Sequence, residues 1–393
     1  MKRVILKKNE ELRIKRGHLW VFSNEIQTAE GDPLNGDLVD IFDYKINFLA
    51  TGFYNTNSLI AVRIISLEQQ IDLENIFTTR ILSAYNYRKS VYPNRSSFRV
   101  VFCESDLLPG LIIDKYNNTF VLQVNSAGIE KNIEIINTIL KKSLNAEKII
   151  SRNDEYFRKL EGLSAEDKIY FGNSTENERE LIDDGHVKYE INLVKGQKTG
   201  FYFDQCDNRK FFGKFCNNKS ILDCFCNSGG FGLHAAINRA SKITFVDSSI
   251  NEIESAIRNY ELNNLSNQRE FFCEDVFEYL EKCIAADKKF DIVNIDPPAF
   301  AKSKKSLPKA IKGYEKLNRL AIAVIKKGGI LFSSSCSYHL KKDQFMEAIK
   351  NALQKSQRNF QLVYTNSASL DHPSLLSMEE TSYLKFAMFR EIN

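Results

Sequence analysis

Ser220-Ile221-Leu222-Asp223-Cys224-Phe225-Cys226-Asn227-Ser228-Gly229-Gly230-Phe231-Gly232 decides how the second half of this chain is read. An apolar strand-like run ends on an acid and enters a glycine-rich turn, and Phe231 to Asn238 then open a helix. The glycines let the backbone approach a ligand closely and adopt dihedrals that other residues avoid. The alternation continues downstream. Lys242 to Asp247 reads as the next strand, and Ile250, Ile253, Ile257 and Tyr260 line one helix face. Phe290 to Asp296 and Gly329 to Ser334 read as further strands. Strands alternating with helices imply a doubly wound α/β domain with a parallel sheet, assigned to residues 187–393.

Working outward, residues 1–70 show short alternating runs. Val39 to Phe42 and Leu59 to Ile65 are strand-like, and Gly31-Asp32-Pro33, Asn35-Gly36-Asp37 and Asn55-Thr56-Asn57 are turn-like. A small β-barrel or sandwich is expected there. Residues 73–185 read as a central α+β domain. Leu73 to Arg88 has helical spacing, and Leu111 to Asp114 and Phe120 to Val124 are strand-like. Ile129, Ile133, Ile136 and Leu140 mark one face of an amphipathic helix. The polar stretch Asn173 to Glu178 reads as a surface loop.

The chain has 393 residues and 43% hydrophobic content, too long for one ordinary core. At 26% charged residues it reads as globular rather than disordered. No apolar run approaches the roughly 20 residues needed to span a bilayer, so no membrane partner is expected. The N-terminus is a poor signal peptide, which makes a cytoplasmic location the expectation. Eight cysteines in so long a chain are not a disulfide framework. A reducing compartment leaves one thiol available for catalysis. The net charge of +4 permits a nucleic-acid partner without requiring one.

In a doubly wound sheet, ligands bind outside the carboxyl ends of the strands. Gly230-x-Gly232-x-x-Ala235 fits the dinucleotide fingerprint, the reading of a nicotinamide-dependent oxidoreductase. Asp223 opposes that reading, because a carboxylate at the strand end repels a pyrophosphate. It suits the ammonium of an amino-acid-like cofactor. Asp247, at the end of the next strand, is placed to accept hydrogen bonds from ribose hydroxyls. Asp275 follows Phe271-Phe272-Cys273-Glu274 at a third strand end, where it would meet an adenine amino group. The competing reading of all three is a solvated loop residue or a helix cap.

Asn294-Ile295-Asp296-Pro297-Pro298 ends the fourth strand, and its prolines stiffen the loop that carries the carboxylate. Ser335-Cys336-Ser337 ends the fifth. A thiol at a strand end on the ligand face is a candidate nucleophile. One chemistry uses both. Thiolate attack on carbon 6 of cytosine makes carbon 5 enamine-like and able to accept a methyl group. Asp296 would meet the N3 and amino edge of the base and supply a proton. The alternative for Cys336 is a buried strand cysteine. His339 is read as more structural than catalytic. Cys224 and Cys226 lack a second pair at metal spacing and read as packing residues, so no metal is expected.

Beyond Asp296 lie Lys302, Lys304 and Lys305, then Lys309 and Lys312. A basic run beside the proposed site suits RNA phosphates. The N-terminal module, with Lys2, Arg3, Lys7, Lys8, Arg13, Lys15 and Arg16, is a second candidate RNA-binding surface.

Several segments together resemble a known family, the bacterial 23S rRNA (cytosine-5) methyltransferases that carry an N-terminal PUA domain. Gly17 to Ile26 looks like the opening of that PUA domain. Glu104-Ser105-Asp106-x-x-Pro109-Gly110-Leu111 is similar to a stretch of the family's central domain. Gln197 to Gln205, followed by Asn208-Arg209, resembles the segment leading into the methyltransferase core. The cofactor turn is like Phe225-Cys226-x-x-Gly229-Gly230-Phe231, the acid-Pro-Pro motif like Asp296-Pro297-Pro298, and the thiol motif like Ser335-Cys336-Ser337.

The resemblance implies a class I Rossmann-like methyltransferase domain behind a PUA-like barrel and a small central domain. It implies S-adenosyl-L-methionine as cofactor and ribosomal RNA as partner, and it allows a homodimer. It also places Phe203, Asp204, Gln205, Arg209 and Pro297 in the cofactor pocket, with the turn residues Phe225, Gly229, Gly230 and Phe231. A sister group with a similar core methylates guanine N7 and lacks the thiol, so Cys336 discriminates between the two chemistries.

Overall fold

The computed structural model describes residues 2–173, 179–193, 199–301 and 303–392. The chain forms two units. One comprises Met1–Ile182, Ile191–Phe203 and Leu370–Thr381; the other comprises Asp183–Glu190, Asp204–Ser369 and Ser382–Asn393.

The first unit contains two sheets. Strands β1 (Arg3–Leu6), β2 (Trp20–Phe22), β3 (Ile26–Glu30), β4 (Leu38–Phe42), β5 (Phe48–Tyr54) and β6 (Ile60–Ser66) form a six-stranded sheet in the order β2-β6-β5-β4-β1-β3. All its pairings are antiparallel except β1 with β4. Val4, Leu6, Val21, Ile41, Ala50, Val62 and Ile64 fill its core. The turns expected at glycines and asparagines are where these strands end.

The second sheet has the order β11-β10-β9-β8-β7, built from β7 (Phe98–Phe102), β8 (Leu111–Tyr116), β9 (Thr119–Val124), β10 (Lys148–Ser151) and β11 (Ile169–Phe171). The helix expected over 73–88 runs Leu73–Val91, with Asp72 capping it through a bond from Asn75 N. The single helix expected across Ile129 to Leu140 is two, Ala127–Lys131 and Ile133–Leu144, separated at Asn132. Asn132 leaves helical dihedrals (φ −110°, ψ 17°), and its side chain donates to Gly128 O instead. A residue that bonds the local backbone competes with the helix ladder in this way. The loop expected at 173–178 lies, from 174 on, outside the described residues.

The expected third domain, 187–393, is not one continuous unit. Residues 191–203 and 370–381 belong to the first unit, held there by buried polar contacts. The Arg88 guanidinium pairs with Asp106 at 2.6 Å and donates to Asp371 O. The Asp371 carboxylate accepts from Arg99 N and bonds His372. Phe201 N donates to the Tyr116 hydroxyl. In the same unit Trp20 Nε1 donates to Glu104 at 2.9 Å, joining two segments that carry the family resemblance.

Strands β12 (Arg179–Asp183) and β13 (Lys188–Asn192) form a ribbon. The second unit holds a seven-stranded sheet. Its parallel strands are β14 (Ser220–Cys224), β15 (Lys242–Asp247), β16 (Gln268–Cys273), β17 (Phe290–Ile295) and β18 (Ile325–Ser335). The antiparallel strands β19 (Asn359–Asn366) and β20 (Lys385–Ile392) complete the order β16-β15-β14-β17-β18-β20-β19. The order reverses between β14 and β17, which makes their carboxyl ends the crevice where such sheets bind ligands.

Helices α1 (Cys206–Gly213), α2 (Gly230–Ile237), α3 (Ile250–Leu262), α4 (Val276–Ala285), α5 (Leu307–Ala323) and α6 (Lys342–Ser356) belong to this unit. Leu222, Val246, Val293, Leu317, Leu331 and Phe345 lie in its core. Gly232 is required by packing: a Cβ there would lie 2.1 Å from the Phe245 ring on β15.

Candidate active site

The turn after β14 is built from unusual backbone. Phe225 (φ 59°), Asn227 (φ 49°) and Gly229 (φ 88°) are all left-handed, a conformation that costs a non-glycine residue on the order of 1 kcal/mol or more. Hydrogen bonds hold it. Cys226 N donates to Val246 O, Gly229 N to Cys226 O, and Asn259 Nδ2 to Ser228 O. The turn leads directly into α2, whose Gly232 N–H is taken by Asp223.

Asp223 is buried, and both of its oxygens are engaged. Gly232 N donates to one at 2.8 Å and Asn294 Nδ2 to the other at 2.9 Å. Burial raises its pKa to about 6, against the pull of those two donors. The observed work of Asp223 is to clamp the turn to β17. Among the described residues the buried Asn294 Oδ1 has no hydrogen-bond partner. Asp247 closes β15 half-buried and accepts from Asn227 N at 2.9 Å and Ser249 N at 3.0 Å. Asp275 is exposed, and its Oδ1 caps α4 through Phe277 N and Glu278 N. The cap reading thus describes the contacts of Asp275.

Asp296 follows β17 and is half-buried. Gln205 Nε2 donates to its Oδ1 at 3.0 Å, and Asn208 Nδ2 orients Gln205 in turn at 2.7 Å. Burial, reinforced by the negative charge of Asp204, raises the Asp296 pKa to about 7; Arg209 and Gln205 oppose the shift. Tyr383 bonds Asp204. Arg209 is buried with its guanidinium 5.9 Å from the Phe231 ring centroid, and a Cβ on Gly230 would meet its Nε at 2.4 Å.

Cys336 follows β18, half-buried, with Sγ 3.9 Å from Pro297 O. The flanking serines are fully buried and lace the two loops together. Ser337 Oγ accepts from Ala301 N at 3.2 Å. The Tyr314 hydroxyl on α5 bonds both Ser337 Oγ at 3.0 Å and Ser335 Oγ at 2.9 Å. The acid-Pro-Pro loop and the Ser-Cys-Ser turn are therefore one cross-linked edge.

Lys304 and Lys305 are exposed in a short turn leading into α5, and Lys309 and Lys312 are exposed on that helix. Lys302 lies outside the described residues. Among the described residues no group of His, Cys, Asp and Glu is arranged to hold a metal ion, and no helix is long and apolar enough to cross a membrane.

Sequence reading missed Asn294, Asn208, Tyr314 and Lys385. Asn294 and Asn208 carried a signal, since each lies inside a motif quoted above. Tyr314 and Lys385 reach the site through tertiary packing.

The crevice offers what S-adenosylmethionine requires. The glycine-rich turn, the Asn294 Oδ1 acceptor and Asp247 at the next strand end are the groups that would hold it. Fold and site together define the class of S-adenosylmethionine-dependent methyltransferases.

Comparison with known proteins narrows the class. Residues 4–67 match the model of a PUA-like domain, and residues 200–358 match a family described as conserved hypothetical protein 95. The chain is 34% identical over 392 residues to ribosomal RNA large subunit methyltransferase I of Aeromonas hydrophila, covering 98% of both chains. It is 35% identical over 387 residues to the enzyme of that name from Pseudoalteromonas atlantica, again with 98% of both covered. The chain belongs to the ribosomal RNA large subunit methyltransferase I family. Its fold matches that of an S-adenosylmethionine-dependent methyltransferase from Streptococcus mutans, with a TM-score of 0.85 at 20% identity over 99% of this chain and 100% of that one. SMU.776, a methyltransferase complexed with S-adenosylhomocysteine, has a TM-score of 0.86, also at 20% identity.

Proposed function

We propose that this protein transfers a methyl group to carbon 5 of a cytosine in 23S ribosomal RNA through a covalent Cys336–carbon 6 adduct. The observation that carries the reading is the cross-linked edge. It sets the Cys336 thiol beside the loop of Asp296, a carboxyl whose pKa of about 7 leaves it partly protonated at neutral pH. S-adenosylmethionine, when bound, supplies the electrophilic methyl group.

The residues of the chain do the rest. The Cys336 thiolate adds to carbon 6, and the Asp296 proton passes to N3, so carbon 5 becomes nucleophilic. After methylation, solvent base takes the carbon 5 proton, the thiolate is expelled and the N3 proton returns to Asp296, which together restore the aromatic ring. Gln205 keeps Asp296 oriented, and Asp223 keeps the cofactor turn in place. Lys302, Lys304 and Lys305 would neutralise phosphates flanking the base, which must leave any stack to enter the crevice.

The test is incubation with methyl-labelled S-adenosylmethionine and unmodified 23S rRNA, followed by nucleoside analysis. Label is expected in 5-methylcytidine and is expected to vanish in Cys336→Ala. Label in a methylguanosine, with Cys336→Ala still active, would replace this reading with guanine chemistry.

A further inference from the structure

Lys385 is buried, yet among the described residues it pairs with no carboxylate. Lysine almost never enters a protein interior without a counter-charge, so its placement calls for a physical reason. The antiparallel register of β18 and β20 sets Lys385 directly opposite Ser335, the residue before the thiol. Opposed residues of such a pair project to the same side of the sheet. The Nζ donates to Ser337 O at 2.7 Å and to Tyr383 O at 2.7 Å. The first of these carbonyls belongs to the residue after the thiol, so the ammonium clasps the turn that carries Cys336.

We propose that Lys385 is a positioning residue for Cys336: its ammonium fixes the Ser-Cys-Ser turn and supplies the positive charge that favours the thiolate. The proposal rests on the reading of Cys336 as the nucleophile. Among the described residues no carboxylate cancels the charge, and one of the three ammonium N–H bonds is not used by either carbonyl. Among the described residues the titratable groups that act on it are the Cys336 thiol and Lys341 at the start of α6, and the Tyr314 phenol binds both serines flanking the thiol. Burial lowers the Lys385 pKa to about 8; Cys336 opposes that shift and Lys341 reinforces it. At neutral pH the residue is still mostly ammonium. The ammonium is bonded to the carbonyl of the residue after the thiol, and a nearby opposing charge lowers an acid's pKa by about one unit or more. The thiolate, not the thiol, is the attacking species.

The experiment is the pH dependence of Cys336 alkylation by iodoacetamide in the full-length protein. It is read by mass spectrometry on the tryptic peptide 328–341, which contains no other cysteine. Lys385→Gln keeps a donor for the carbonyls and removes the charge; Lys385→Arg keeps the charge. The midpoint is expected to rise by about one pH unit in Lys385→Gln, with alkylation about tenfold slower near pH 7. Lys385→Arg is expected to stay near the wild type. An unmoved midpoint in a folded Lys385→Gln protein would overturn the proposal and leave Lys385 a purely structural clasp. If Lys385→Gln does not fold, Lys385→Arg decides: a midpoint raised as for loss of charge overturns the proposal, and a retained one supports it. The titration is independent of methyl transfer. A Cys336→Ala protein that still methylates RNA would sink the cysteine chemistry without moving this midpoint.

Discussion

Two aspartates end neighbouring strands of the same sheet, and the fold uses them in opposite ways. Asp223, at the end of β14, is enclosed and bonded on both oxygens, to Gly232 N and to Asn294. Asp296, just past the end of β17, is half-buried and held on one oxygen by Gln205. Burial raises both pKa values, to about 6 and about 7 respectively. The first carboxylate holds a scaffold donor on each oxygen, and the second is held on one oxygen only. Two acids at adjacent strand ends thus differ in their surroundings, one a clamp by its contacts and the other the proton donor of the proposed reaction.

The strongest test of that division is Asp296→Asn. It keeps the bond from Gln205 within reach but removes the proton, and is expected to lower the methylation rate about 100-fold or more, with S-adenosylmethionine binding measured by calorimetry little changed. Equal loss of cofactor binding would make Asp296 a second clamp.

Asp223→Ala is next in size. It leaves Gly232 N and Asn294 Nδ2 without their acceptor and is expected to cost on the order of 3 kcal/mol in urea unfolding. A fully stable variant would break the clamp reading.

The pH dependence of stability comes third. An acid whose folded pKa is raised stabilises fully below its unfolded pKa, near 3.8, and loses that contribution as pH climbs through the folded value. The melting temperature should therefore fall from pH 5 to pH 8. Asp296→Asn should fall less and gain on the wild type across that range. The effect is modest, because Asp296 is only half-buried and solvent screens part of its cost.

The smallest expected effect lies on the loop that Asp296 introduces. Lys304→Ala with Lys305→Ala should weaken RNA binding several-fold and reduce the dependence of log affinity on log salt by about 2, measured by filter binding across a salt series. An unchanged salt slope would make that loop a solvated face.

Much of the site is legible in the sequence alone. Strand-end acids, the glycine-rich turn, the acid-Pro-Pro loop and the Ser-Cys-Ser turn are local patterns, and each lies at the strand end where the alternation of strands and helices puts it. The same holds for β15 and β17 as central strands, whose apolar runs admit one interpretation. The antiparallel strands β19 and β20 are not legible in this way, because their pairing joins residues far apart in sequence and no turn signal links them.

Local pattern and a family likeness thus carry the class of fold, the cofactor and the candidate nucleophile, because strand–turn–helix units are specified by residues close in sequence. Only the tertiary structure assigns segments 191–203 and 370–381 to the first unit, where Phe201 bonds Tyr116 and Asp371 bonds Arg88 and Arg99. It alone turns Asp223 inward, makes Asp275 a helix cap, and brings Tyr314 and Lys385 to the turn bearing Cys336. Those roles depend on which donors and charges long-range packing brings within about 3 Å, and sequence separation carries no trace of that distance.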